Sequence, residues 1–328
     1  MNVLSVRPTP RLAPAPPAIA QRFKRVYIEI SNVCNLQCSF CPAVARDTQF
    51  MGIDLFRKIA AAAAPLTEEV GFHLMGEPLL HPAFNSFVDA CASLGLPIHL
   101  TTNGFLLQPT RSNILLHPAL KQINFSLQSF ADNFPEKDDA DYLQRIFDFT
   151  ERAGRERPDL YINYRLWNHG APRSLEGNGR LIGKIKRGLG VDFGNVPDVR
   201  WKKSVPLKGR ASLHFDTRFQ WPHPDQPVRS SRGFCHGLST HIGVLADGTV
   251  VPCCLDKEGV INLGNLGTQN IHDVLQSPRA TAIREGFKKG ILVEDLCRKC
   301  TYISRFDGKA QKINPDASPR PPDPVHGN

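Results

Sequence analysis

Three cysteines, Cys34, Cys38 and Cys41, fall within eight residues of the stretch ISNVCNLQCSFCP. Disulfides use thiols in pairs and a closed zinc site uses four ligands, so an odd set on one short loop asks for another occupant. Three thiolates hold three irons of a [4Fe-4S] cubane and leave the fourth iron without a protein ligand. An open coordination position is what a catalytic metal site keeps. The competing reading is a zinc knuckle that borrows a distant fourth ligand. A second group lies far downstream: Cys235, Cys253, Cys297 and Cys300, with Cys254 beside one of them and a closing Cys-x2-Cys. These four suffice for a structural zinc ribbon, and spacing alone does not separate iron from zinc. Cys254 is a spare thiol, a ligand in place of Cys253, or a core residue. Neighbours on a strand point to opposite faces, so only one of the two can face a shared site, and Cys253 is the expected one. Cys91, alone in FVDACASLG, reads as a small buried apolar residue.

The elements that must position these thiols alternate along the chain. VYIEIS (26–31) reads as a strand, MGIDLFRKIAAAAA (51–64) as a helix stopped by Pro65, and EVGFHLM (69–75) as the next strand. The series continues with a helix at 82–94, a strand at 97–103, a short helix at 109–117, a strand at 121–127 and a helix at 138–153. A strand at 160–168, a helix at 174–188 and an apolar alternation at 212–219 complete it. Six such alternations predict an α/β fold: a parallel sheet curled into a partial (β/α)6 TIM-like barrel, with its chemistry at the C-terminal strand ends. Cys34, Cys38 and Cys41 directly follow the first strand, at such an end. From residue 233 the pattern changes to a β-hairpin turning at Asp247-Gly248, then helical patterns at 270–289 and a cysteine-rich end. The expected organisation is a Pro-rich disordered tail (1–22), the partial barrel (23–232), a small hairpin-plus-helix module (233–305) and a second disordered tail (306–328).

Composition bounds the function classes. The chain has 328 residues, 41% hydrophobic and 22% charged, enough for a full core. No apolar run approaches the roughly 18 residues of a membrane span, and the proline-interrupted N-terminus does not read as a secretory signal. A cytoplasmic location is expected, where nine cysteines serve as metal ligands or catalytic groups in preference to disulfides. The net charge of +9 is spread out, densest at 180–187 and 200–203, and reads as a solvated basic face. With 8% aromatic residues and no basic-aromatic platform for stacked bases, the composition argues against a nucleic-acid partner.

Strand parity adds candidates for the lumen. The outer face of a barrel strand packs on helices and is apolar, whereas the inner face near a site is polar. Sorting by parity sends Glu29, His73, His99, Thr101, Asn124, Ser126, Asn163, Arg165, His214, Asp216 and Arg218 inward, opposite apolar partners such as Ile28, Leu100, Phe125 and Phe215. His73, Asn163, His214, Asp216 and Arg218 are the substrate candidates. His73 and His214 are expected proton acceptors, because imidazole titrates near working pH.

At this point the sequence resembles a family. Cys34-x3-Cys38-x2-Cys41, with Phe40 before the last cysteine, is similar to the signature of the radical S-adenosylmethionine (SAM) enzymes. Met75-Gly76-Glu77-Pro78 after the second strand is similar to that family's Gly-Gly-Glu-Pro turn, with Met75 in place of its first glycine. Thr101-Thr102-Asn103-Gly104 and Ser126-Leu127-Gln128 also look like family segments, with Gln128 where an acidic residue is common. The resemblance implies that SAM chelates the open iron and that Phe40, Gly76, Glu77, Thr101, Ser126 and Arg165 meet it, Arg165 at its carboxylate or ribose. It implies reductive SAM cleavage to methionine and a 5′-deoxyadenosyl radical that takes hydrogen from substrate. The C-terminal cysteines resemble the SPASM and shorter twitch extensions. Cys235, Cys253, Cys297 and Cys300 then hold one auxiliary [4Fe-4S] cluster, and a flavodoxin or ferredoxin supplies single electrons.

Two activities fit that resemblance. One is dehydrogenation of a small polyol or sugar, as in the aminocyclitol dehydrogenases whose cysteine spacing is closely similar. The other is maturation of a peptide or protein. Only about 25 residues precede the first strand, too few for the peptide-recognition domain such maturases usually carry, so the small substrate is favoured. A non-catalytic zinc and nucleic-acid binding protein is the alternative from another class.

Overall fold

A computed structural model describes residues 22–108, 112–169, 174–194 and 202–306. The strands are β1 (Phe23–Ile28), β2 (Thr67–Phe72), β3 (Ile98–Thr102), β4 (Leu120–Ser126), β5 (Tyr161–His169), β6 (Ser204–Pro206), β7 (Ala211–Thr217), β8 (His241–Val244), β9 (Thr249–Val251) and β10 (Gly264–Asn265). The helices are α1 (Ile53–Ala63), α2 (Phe84–Ser93), α3 (Gln128–Asn133), α4 (Ala140–Glu156), α5 (Ser174–Leu189), α6 (Ile271–Gln276), α7 (Pro278–Lys288) and α8 (Asp295–Lys299).

All the strands belong to one open sheet, ordered β10-β9-β8-β1-β2-β3-β4-β5-β7-β6. The run β1-β2-β3-β4-β5-β7 is parallel throughout and supplies the six barrel strands expected. The C-terminal hairpin is continuous with it, because β8 pairs in parallel with β1 from Arg25↔His241 to Ile28↔Val244. β6, which the sequence pattern does not reveal, closes the far side by pairing antiparallel with β7.

Local sequence explains the helices. In α1, Phe56, Ile59, Ala60 and Ala63 are buried, the 3-4-7 spacing of one helical face, and the 3-10 turn containing Pro65 ends it. α4 buries Tyr142, Leu143, Ile146, Phe147, Phe149, Thr150 and Ala153 on the sheet. The helical pattern at 270–289 splits into α6 and α7 at Ser277-Pro278, where the Ser277 side chain accepts the Ala280 amide.

Three expectations are corrected. Strand four stops at Ser126, and Gln128, expected to follow it as part of a strand-end segment, is the first residue of α3. The helix expected at 109–117 is a 3-10 turn, Ile114–Leu116, in its described part; residues 109–111 lie outside the described residues. The expected tails lie outside them as well, apart from Arg22 and Phe306.

The parity sorting separates core from lumen. Val26, Ile28, Val70, Phe72, Leu100, Phe125, Ile162, Leu166, Leu213 and Phe215 are buried against the helices. Arg25, Tyr27, Gly71, His73, His99, Thr101, Asn124, Ser126, Arg165 and Trp167 instead wall a cavity of about 950 Å³. At its lower end Arg25 and His99 both meet Glu69, at 2.5 and 2.7 Å. Burial pushes His73 down to about 3 and His241 down to about 4, with nearby cations adding to both. Both rings are therefore neutral in the fold, while an unfolded chain binds a proton on each below about pH 6.5. Their contribution to stability is complete above that pH and is lost as pH falls toward the folded values. Stability measured by denaturant titration is expected to fall as pH drops from 6.5, with a slope that approaches about 1.4 kcal/mol per pH unit for each ring near pH 5. His241→Phe should remove one ring's share of that slope.

Candidate active site

The Cys34–Cys41 loop leaves the upper end of β1 and is held almost wholly from outside. Asn133, at the end of α3, accepts the Gln37 amide at 2.7 Å and donates to Cys38 Sγ at 3.1 Å. Asp132 accepts the Ser39 amide at 2.5 Å and its hydroxyl at 2.7 Å. From the segment after β7, Arg218 donates to the Ser39 carbonyl at 2.8 Å, and Trp221 Nε1 to the Phe40 carbonyl at 3.1 Å. Sequence reasoning missed Asp132, Asn133 and Trp221. The only signal for the first two is a polar pair a few residues beyond a strand end.

Next to this loop the turn after β2 fits without spare room. Gly76 has φ of +74°, and a Cβ there would sit 2.4 Å from the Ser31 carbonyl oxygen and 2.8 Å from that of Val33. The Glu77 amide bonds the Val33 carbonyl at 2.8 Å, which ties the turn to the cysteine loop. The Glu77 carboxylate accepts from Leu79 N at 3.0 Å, Thr102 Oγ1 at 2.7 Å and Asn103 N at 2.7 Å. Glu77 thus joins the ends of β2 and β3, and burial raises its carboxyl above the usual range. Asn103 Nδ2 bonds Asn35 Oδ1 at 2.9 Å and approaches Cys34 Sγ at 4.0 Å.

Cys34, Cys38 and Cys41 are electrostatic neighbours of one another and open onto the cavity. Burial pushes Cys41 up to about 12 and raises Cys34 and Cys38. At neutral pH the bare thiols keep their protons, and the thiolates form when a cation displaces them. Phe40, Gly76, Glu77, Thr101, Ser126 and Arg165 all line the same cavity. Arg165 donates to Thr101 Oγ1 at 3.3 Å and stacks over Trp167 at 4.3 Å. Among the described residues it has no carboxylate partner, and burial pushes it down to about 10.

The second cysteine set reaches the same cavity. Cys235, Cys253, Cys254, Cys297 and Cys300 all line the cavity. Cys253 has Cys235, Cys254, Cys297 and Cys300 as electrostatic neighbours. Cys235, Cys297 and Cys300 pack on the main core, whereas Cys254 packs with Tyr27, Leu74, Leu245 and Val251. The electrostatic neighbours of Cys254 include Arg25 and Arg165 on the lumen side. Among the described residues no three His, Cys, Asp or Glu side chains come close enough to share one metal ion. Cys91 is fully buried in α2.

The substrate candidates divide. His73 and Arg218 line the cavity, but Asn163, His214 and Asp216 do not. Asn163 bonds Asn124 Oδ1 at 3.0 Å and Ser212 Oγ at 2.7 Å. His214 Nδ1 accepts Trp167 Nε1 at 3.1 Å. Asp216 is held by Lys203 at 3.1 Å and Arg305 at 2.9 Å. The expectation that the two imidazoles titrate near working pH is also corrected. Burial, with Arg165 beside both, lowers each of them, so His73 is a neutral ring on the cavity wall.

Comparison with known proteins matches residues 28–164 to the Radical SAM superfamily and residues 235–301 to an iron–sulfur cluster-binding domain, SPASM. The chain is a member of the radical SAM superfamily. As a radical SAM enzyme with a SPASM domain, it uses [4Fe-4S] and S-adenosyl-L-methionine as cofactors. It is 21% identical over 86% of its length to the S-adenosyl-L-methionine-dependent 2-deoxy-scyllo-inosamine dehydrogenase of Niallia circulans, covering 94% of that protein. It is 26% identical over 42% of its length to the tungsten-containing aldehyde ferredoxin oxidoreductase cofactor-modifying protein of Pyrococcus furiosus, of which it spans 42%. Among solved structures, BtrN in complex with AdoMet and 2-DOIA superposes with a TM-score of 0.57 at 19% identity, covering 87% of this chain and 95% of that one. A tagged form of anSMEcpe with bound AdoMet gives 0.55 at 11% identity, covering 88% and 96%. Both likenesses show the shared fold. Among the described residues no helix is long and apolar enough to cross a membrane.

The Gly76 turn yields a direct test. Gly76→Val forces a side chain into a space closed by two backbone carbonyls and a left-handed conformation that only glycine adopts freely. SAM affinity, measured by calorimetry on the cluster-loaded protein, is expected to fall at least about tenfold, roughly 1.4 kcal/mol, with the cluster absorbance retained.

Proposed function

We propose that the chain is an oxidoreductase that removes hydrogen from a small hydroxyl-bearing substrate, a polyol or sugar. Cys34, Cys38 and Cys41 hold the SAM-binding cluster, and Cys235, Cys253, Cys297 and Cys300 hold one auxiliary [4Fe-4S] cluster. The observation that carries this reading is that both cysteine sets wall one cavity of about 950 Å³, a volume suited to a cofactor and a small molecule together. When bound, the cluster and SAM supply reductive carbon–sulfur cleavage and hydrogen-atom abstraction.

The chain's own residues place and protect the reactants. Asn133 and Asn103 donate toward the sulfurs of Cys38 and Cys34, which favours their thiolate forms. Arg165, a cation without a carboxylate partner among the described residues, is suited to the SAM carboxylate, and Thr101 and Trp167 fix its plane. His73 is neutral and makes no hydrogen bond to a described residue, so its ring is available to orient a substrate hydroxyl. Phe40, Leu36 and Trp221 give the cavity apolar walls that exclude water. The dehydrogenase reading draws support from the Niallia circulans relative, which aligns over 86% of this chain. The electron donor in this reading is a flavodoxin or ferredoxin.

Metal analysis after anaerobic reconstitution is expected to find about eight irons per chain. Replacing Cys34, Cys38 and Cys41 together by Ala should leave about four and abolish SAM cleavage; cleavage retained in that variant overturns the catalytic assignment. At the second site, Cys253→Ser should lose auxiliary iron while SAM cleavage continues uncoupled from product. Cys254→Ser should keep full iron and turnover. The reverse pattern would make Cys254 the ligand.

A further inference from the structure

The chain immediately after Cys41 is gripped by a turn of the C-terminal module. Glu258 accepts the Ala45 amide at 3.0 and 3.2 Å on its two oxygens and the Arg46 amide at 3.3 Å. Lys257 donates from Nζ to the Ala43 carbonyl at 2.7 Å and pairs with Glu258. In return Arg46 Nε donates to the Lys257 carbonyl at 2.5 Å. The Arg46 guanidinium also reaches Glu29, at 2.6 and 2.7 Å, and Glu29 accepts the Ala246 amide of the hairpin at 3.2 Å. The core of this contact is dry: Glu29 is 1% exposed and Lys257 4%. A buried ammonium is costly to desolvate, so a site that keeps one supplies it with fixed partners.

The turn is itself built rigidly. Asp256 accepts the Val260 amide at 2.9 Å and the Ile261 amide at 2.8 Å, and it starts three residues after Cys253. One short segment therefore runs from a cysteine of the second set to the backbone that follows the last cysteine of the first. Cys41 counts Lys257 among its electrostatic neighbours.

We infer that Lys257 and Glu258 are positioning residues for the catalytic loop, holding residues 43–46 so that the geometry of Cys41 depends on the module that carries the second cysteine set. The inference rests on the reading of Cys34, Cys38 and Cys41 as ligands of the SAM-binding cluster. It goes beyond that reading because it makes the C-terminal module a mechanical part of the first site as well as a holder of its own cluster.

The test uses the full-length protein, reconstituted anaerobically, with Glu258→Ala, Glu258→Gln and Cys253→Ser variants. Hydrogen exchange of the peptide spanning 43–46 is read by mass spectrometry, and electron paramagnetic resonance reads each reduced cluster with and without SAM. In Glu258→Ala, exchange at 43–46 should rise about tenfold or more, and the resonance of the first cluster and its response to SAM should change. The auxiliary signal and iron should stay as in the parent. Glu258→Gln keeps one acceptor oxygen and should restore part of the protection. Cys253→Ser should raise exchange at 43–46 even though it leaves Glu258 in place. Unchanged exchange and resonance in Glu258→Ala, with both clusters present, overturns the inference. Retention of eight irons by the Cys34/Cys38/Cys41 triple variant overturns the ligand assignment instead, so the two failures are distinguishable.

Discussion

A loop that presents three thiols to one site cannot also be an ordinary piece of secondary structure. Within residues 34–41 of this chain a single backbone-to-backbone hydrogen bond forms, from the Cys41 amide to the Cys38 carbonyl at 3.0 Å. Most other restraints on this loop arrive from elsewhere, from Asp132 and Asn133 of α3, Asn103 after β3, and Arg218 and Trp221 after β7, while the Gly76 turn and the turn at Lys257-Glu258 hold the backbone on either side of it, at Val33 and at residues 43–46. Unpaired backbone groups in a partly buried loop are costly, so each clamp both satisfies a donor or acceptor and fixes a sulfur. The position of the three cysteines is therefore a tertiary property. The chemistry that a short sequence motif announces is delivered by residues 68 to 181 positions away in the chain.

What was legible in the sequence follows from how local its cause is. The six parallel strands show because each carries an apolar face with period two, and α1 and α4 because their buried residues repeat at helical spacing. The positive φ at Gly76 and its close approach to the Ser31 and Val33 carbonyls are set by packing between two loops, which the four-residue motif does not record. The helix α3 was not legible: six residues directly after a strand give too short a window for a period. β6 is three residues long, and its pairing with β7 is set by a partner rather than by its own pattern. The parity rule correctly separated core from polar face, but it could not say which polar residues reach open space. Asn163, His214 and Asp216 spend their polar atoms on neighbours within the polar layer, and no single-strand pattern records that.

Charge in the lumen follows the same logic of burial. Arg25 is matched by Glu69, and Asp216 by Lys203 and Arg305, so these groups hold the sheet's inner face together. The Glu77 and Asp256 carboxylates, although at the cavity wall, are consumed by hydrogen-bond donors of the protein. That leaves Arg165 as a lumen cation with no carboxylate opposite it among the described residues, next to a histidine that burial, aided by the arginine, keeps neutral. An anionic group entering between them gains the arginine at little desolvation cost, because the guanidinium has already been removed from bulk water and oriented by Thr101 and Trp167.

Strand direction then decides how the two cysteine sets face each other. β1 and β8 run in parallel, so their C-terminal ends lie together at the top of the sheet, where Cys34 follows β1. β9 returns antiparallel, with Val251 opposite Gly243, so the chain that reaches Cys253 has descended toward the level of His241 and Arg25. The levels of Val244 and His241 are three residues apart, on the order of 10 Å along a strand. The hairpin thus sets Cys253 at a lower level of the sheet than the loop that follows β1, and both cysteine sets, with Tyr27, His73 and Arg165, line the same cavity. Had the module joined the sheet through a parallel crossover, both cysteine sets would have emerged at the same end and competed for the same space. The antiparallel return, continued upward again by the turn at Lys257-Glu258, lets one cavity have two chemically distinct ends and still keeps them mechanically joined.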